Sequence, residues 1–88
     1  MIEFPPHKCG LFLTHNEHRN YYETVEEFLG SNKLDDEFET PEARQQCIDT
    51  DELWELQWYP DTAIGFYRCF APTLESLMAF VNRGGHKK

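Results

Sequence analysis

The chain predicts an α+β fold: a small two-layer sandwich in which a three-stranded, mainly antiparallel sheet carries helices on one face, with elements in the order β-α-α-β-β-α. Three observations point there. Leu53–Tyr59 and Ala63–Ala71 alternate large apolar with other side chains at period two, the mark of half-buried strands. Segments on either side of them repeat apolar residues at helical spacing behind threonine caps. Finally, 88 residues with 40% hydrophobic and 15% aromatic content supply one core and no second. We therefore expect a single domain over 1–88, with its core over about 9–83 and flexible ends at 1–8 and 84–88.

Cys9–Leu13 is short and apolar and follows the stiff Pro5-Pro6 pair, as a first strand would. Thr14-His15-Asn16-Glu17 then has the form of a capping box, in which each side chain satisfies a backbone N–H of the opening turn. Asn16 is a rival cap. The helix behind it would carry Tyr21, Val25, Phe28 and Leu29 as one apolar stripe and close at Gly30, which accepts a left-handed C-cap conformation. Ser31–Thr40 is a polar, acidic connection in which Leu34 and Phe38 anchor a loose turn. A short helix is expected over Pro41–Ile48, capped by Thr40 and pinned by Ala43, Cys47 and Ile48, with Glu42 beside the positive end of its dipole.

The two strands that follow read as a hairpin. A three-residue loop, Pro60-Asp61-Thr62, pairs Trp58 with Ile64 and Leu56 with Phe66. Trp54, Leu56, Trp58, Ile64 and Phe66 then form the core face, and Arg68 stacks over Trp54 or reaches water. A four-residue loop mixes the faces and is rejected. The last helix starts behind Thr73, presents Leu74, Leu77, Met78 and Val81, and closes at Arg83-Gly84. The long Gly30–Asp51 crossover leaves the strand order open.

Net charge is −8 and the sequence pI is near 4.8. That disfavours direct binding to nucleic acid, which needs Lys and Arg to displace counterions, and disfavours anionic membranes for the same reason. Residues 23–61 hold thirteen carboxylates, from Glu23 to Asp61, against Lys33 and Arg44. Such a field would attract a basic partner, or simply keep a small protein soluble. The three cysteines (Cys9, Cys47, Cys69) are an odd count, the N-terminal stretch lacks a leader pattern, and no segment reaches the length of a membrane span. Together these predict a cytoplasmic protein with free thiols.

No motif carries strong chemistry. His7, Cys9, His15 and His18 form H-x-C-x5-H-x2-H, but no second knuckle completes a zinc pattern. A nucleophile built from Cys9 or Cys69 with His15 or His18 would need an electropositive setting that this chain lacks. No cofactor is expected. One helical layer would leave the second sheet face (Leu53, Tyr59, Tyr67 and Cys69 with Glu55 and Gln57) uncovered. The expected function is therefore a non-enzymatic protein–protein interaction module using Leu53, Glu55, Tyr59, Asp61 and Tyr67, with Asp51 nearby, against a protein partner or a second copy. The alternatives are an acidic inhibitor or nucleic-acid mimic that blocks a basic site, and a small metal-binding or Cys/His enzyme.

Overall fold

The computed structural model describes residues 2–3, 11–34, 37–58 and 67–85. Strands β2 (Phe12–His15), β3 (Trp54–Trp58) and β4 (Tyr67–Ala71) form one open antiparallel sheet. A two-residue strand, β1 (Ile2–Glu3), pairs with the outer edge of β2 and brings part of the expected N-terminal tail into the sheet. With helices α1 (Val25–Asn32), α2 (Ala43–Thr50) and α3 (Leu74–Asn82), the elements make the predicted α+β fold. The first long strand lies beside β3, which resolves the open strand order.

The hairpin register departs from expectation. Trp54 pairs with Ala71, Leu56 with Cys69 and Trp58 with Tyr67. This lies three residues from the pairing that sets Trp54 against Arg68, and an odd shift exchanges the faces of one strand relative to the other. Cys69 and Ala71 consequently join Leu11, Leu13, Leu56 and Trp58 in one buried cluster, closed by Leu77 and Val81 of α3. Phe70 turns the other way. It meets Val25 and Leu29 of α1, Cys47 of α2, and Leu34 and Leu53 in a second cluster. The helices thus divide, α3 on the Trp58 side and α1 and α2 around Phe70, instead of forming one layer.

The cause lies in β4. Cys69, Phe70 and Ala71 are buried in succession, at 4%, 0% and 0% exposure. A strand covered on both sides offers no alternation from which its register could be read. Beyond it, Glu37–Glu39 runs parallel to β4: Phe70 N–H donates to Glu37 O at 2.8 Å, and Glu39 N–H donates to Phe70 O at 2.9 Å. The predicted turn over 60–62, with Tyr59, Ile64 and Phe66, lies outside the described residues.

The first helix also starts later than expected. Thr14 and His15 finish β2, a 3-10 turn spans Glu17–Asn20, and α1 begins at Val25. The working N-cap is Thr24, and Glu27 at the third helical position reaches back past it to the preceding residue. Thr24 Oγ1 accepts from Glu27 N–H at 3.1 Å, while Glu27 Oε1 accepts from Glu23 N–H at 3.2 Å. Thr14 carries the same T-x-x-E signature, but sheet pairing claims it. At the far end α1 runs through Gly30, and Lys33 at φ 54° supplies the left-handed cap, with Leu34 N–H reaching back to Leu29 O. α2 sits two residues beyond its expected start and buries Ala43 and Cys47 as foreseen. α3 keeps its Thr73 cap and its Leu77 and Val81 contacts, whereas Met78 is exposed.

Candidate functional site

Where β2 ends, the backbone of Asn16 turns left-handed, at φ 54°. That conformation, which Asn tolerates better than most residues, aims its side chain at the chain leaving α2. Asn16 N–H donates to Leu53 O, and Asn16 Oδ1 accepts from Leu53 N–H, both at 2.8 Å. Glu52 bridges the same junction, 2.6 Å from His15 Nε2 and 3.2 Å from Asn16 Nδ2. The His15 ring stacks on its cross-strand neighbour Trp54, with centroids 3.9 Å apart. The next residue from α2, Asp51, accepts from Val25 N–H at 2.9 Å and meets Arg19 Nη2 at 3.1 Å. Hydrogen bonds hold both carboxyls below their ordinary range, Val25 N–H leading for Asp51 and His15 for Glu52.

This clasp fixes the 3-10 turn, and the turn presents an aromatic surface. Tyr21 N–H and Tyr22 N–H both donate to His18 O, at 3.0 and 2.9 Å. Tyr21 is 84% exposed, the most open large apolar residue among those described. It borders a shallow concavity of about 540 Å³ lined by Arg19, Asn20, Tyr21, Tyr22, Glu23 and Glu27. Arg19 is held by Asp51 and by Glu23 O, so the outward charge of this rim is set by its carboxylates. Beneath the turn, His18 is 4% exposed and packs against Phe28, with ring centroids 5.8 Å apart. Neither of its ring nitrogens has a hydrogen-bond partner.

Sequence reasoning placed Tyr21 on a buried helical stripe and so missed this surface. The signal was the Tyr21-Tyr22 doublet. Both tyrosines fall between the 3-10 turn, which ends at Asn20, and α1, which starts at Val25, so helical spacing does not apply to them.

The expected hairpin face is taken apart by the register. Leu53 is buried in the α1–α2 cluster and is not an exposed contact. Glu55 is half-buried on the Phe70 side, hydrogen-bonded by Gln57, and burial raises its pKa. Tyr67 is exposed but sits on the opposite face, tilted against Trp58. Asp51 belongs to the clasp, while Tyr59 and Asp61 lie outside the described residues. Arg68 does not reach Trp54; it lies over Phe70 and pairs with Glu37 at 3.1 Å.

Of the metal and nucleophile sets, only His15, His18 and Cys69 lie among the described residues. His7 and Cys9 lie outside the described residues. His15 points to Glu52, and both His18 nitrogens are sealed from water. Among the described residues no group of three or more His, Cys, Asp or Glu is placed to hold a metal ion. Burial pushes the Cys47 thiol up to about 12, and Cys69 is buried too. Nor does the acidic block form one uniform field. Glu37 pairs with Arg68, Glu39 with Arg83, Asp51 with Arg19 and Glu52 with His15, leaving Glu23, Glu26, Glu27, Glu42 and Asp49 as exposed carboxylates around α1 and α2.

A smaller hollow of about 280 Å³ lies between Trp58, Tyr67, Arg68, Phe80 and Gly85. Gly85 gives it its shape, since a Cβ there would stand 2.4 Å from the Phe80 ring. That ring is confined by Trp58 at 5.7 Å and Arg83 at 5.6 Å. Gly85→Ala should therefore lower stability by about 1–3 kcal/mol, an overpacking cost, and shift the tryptophan emission in the folded state. Urea titration followed by fluorescence reads both; an unchanged midpoint would show that Phe80 gives way freely. No helix among the described residues is long and apolar enough to cross a membrane. No family model, curated protein or solved structure matches the chain.

Proposed function

We propose that the protein is a non-enzymatic contact module that binds a basic segment of a partner protein through the Tyr21 surface. The observation that supports this reading is Tyr21 itself: a ring almost wholly in water, on a turn anchored by the Asp51 and Glu52 clasp, beside a concavity with Glu23 and Glu27 on its rim. A rigid exposed aromatic beside a rim rich in carboxylates suits an interface whose centre is an aromatic anchor and whose rim is polar. Lys and Arg in the partner would meet the carboxylates and stack on the ring. A cytoplasmic location accords with the buried thiols of Cys47 and Cys69.

Removal of the ring tests the proposal. Tyr21→Ala should weaken binding of a partner captured from the native lysate by about thirtyfold, the effect of a hot-spot residue worth about 2 kcal/mol. Glu23→Gln should lower the association rate and its salt dependence while sparing most of the affinity. Tyr67→Ala should bind as the parent does. Isothermal titration at two salt concentrations distinguishes these outcomes, and a partner lost with Tyr67→Ala but kept by Tyr21→Ala contradicts the proposal.

A further inference from the structure

A buried polar group without a partner needs an explanation, because native interiors satisfy nearly all of theirs. His18 holds two such atoms, its Nδ1 and Nε2, on a side chain that is 4% exposed. An apolar side chain of similar size would fill the same space and leave no orphan donor or acceptor. What a histidine adds there is a change of charge close to neutral pH.

We infer that His18 is an acid-sensitive latch: protonation expels its ring from beneath the 3-10 turn and releases the Tyr21–Tyr22 surface that the turn carries. The geometry makes the connection direct. The two tyrosine N–H groups that hold the surface in place both donate to the backbone carbonyl of His18. An imidazolium has two donors and a charge, yet neither ring nitrogen has a protein acceptor within hydrogen-bond distance or reaches the surface. The charged groups facing the ring are Asp51 and Glu52, which favour its protonation, and Arg19 and His15, which oppose it, while α1 presents the ring of Phe28. Asp51 is already engaged by Val25 N–H and Arg19, and Glu52 by His15 and Asn16. Desolvation outweighs the carboxylates and holds the His18 pKa below its ordinary 6.5.

The direction of the pH effect follows. A base whose pKa is lower folded than unfolded takes up a proton more readily when released, so stability is complete above 6.5 and falls as pH drops below it. This window lies above the one in which Asp51 and Glu52, both lowered, titrate. The latch is a property of the fold alone; its consequence for binding rests on the proposed Tyr21 contact.

Hydrogen exchange at the Tyr21 and Tyr22 amides, corrected for intrinsic rates, tests the latch without a partner. Protection should fall between pH 7.5 and 5.5 by up to about tenfold, the limit set at the lower pH by a released imidazole of ordinary pKa 6.5. In His18→Leu and His18→Phe the same amides should stay protected across that range, and the better packed of the two should melt no lower than the parent at pH 7.5. His15→Gln should keep the parent's pH response. Constant protection in the parent, or a response that survives in both His18 variants or disappears with His15→Gln, overturns the latch. With the captured partner, binding should weaken at pH 5.5 in the parent and persist in His18→Leu. A latch that works in exchange while Tyr21→Ala leaves partner binding intact would overturn the proposed contact and leave the latch standing.

Discussion

Phe70→Ala is expected to remove about 3–5 kcal/mol of stability, the range for truncating a large aromatic in a packed core. Phe70 is 0% exposed and stands where three parts of the chain meet. Its ring is edge-on to Phe28 of α1 at 6.3 Å and tilted against Phe38 at 5.5 Å, with Leu53 and Cys47 completing its surroundings. Its backbone carries both hydrogen bonds to Glu37–Glu39, and the Arg68 guanidinium lies over its ring at 5.4 Å. Small domains have only about 5–15 kcal/mol in total, so this one change removes a large share of it. Urea denaturation should show a much lower midpoint with an unchanged slope. A loss below about 1 kcal/mol would mean that the second cluster does not close over β4.

Asp51→Ala comes next, at about 2–3 kcal/mol, although the residue lies at the surface. Three separate contributions coincide on it. Its carboxylate accepts from Val25 N–H at the first turn of α1, a charge-assisted bond at the positive end of a helix. It also holds Arg19 and thereby the 3-10 turn. Its own backbone is left-handed at φ 54° as the cap of α2, a conformation that costs alanine about 1 kcal/mol more than it costs Asp or Gly. Asp51→Gly should therefore recover about 1 kcal/mol of the loss, and Asp51→Asn should keep the backbone while losing the charge. Equal midpoints for Ala and Gly would remove the backbone contribution from this account.

Acid adds a second window. The folded pKa values of Asp51 and Glu52 lie below their ordinary 3.8 and 4.5, so their contribution is complete above those values and is lost as pH falls below them. Glu55, raised by burial, works in the opposite sense. Loss of structure from Asp51 and Glu52 thus belongs below about pH 4.5, separate from any effect of His18.

What the sequence made legible follows the rules that act locally. Thr73 and the Leu77–Val81 spacing marked α3, because cap and stripe agree there. Ala43 and Cys47 marked the buried side of α2 for the same reason. The two T-x-x-E signatures, at Thr14 and Thr24, are locally equivalent, and the sheet pairing of Thr14 with Glu55 decides between them. No reading of residues 12–20 alone contains that information. The hairpin failed similarly. Cys69-Phe70-Ala71 looks like the end of an alternating strand, yet all three are buried because the chain folds back along β4 from Glu37. Leu53 and Glu55 then leave the predicted contact face, and Tyr21 takes the exposed place that sequence periodicity denied it. Aromatic density at 54–70 located the core, and a lone doublet outside it marked the surface.

The claim that the Tyr21 turn is the working surface is tested most directly by photo-crosslinking in the native cell. A benzophenone amino acid would be placed in turn at positions 21, 67 and 78, the three exposed large apolar residues among those described. A discrete adduct with a basic protein is expected from position 21, absent from 67 and 78 and diminished when Glu23→Gln is combined with it. A discrete adduct from 67 or 78 with none from 21 would place the contact elsewhere on the molecule and contradict the account.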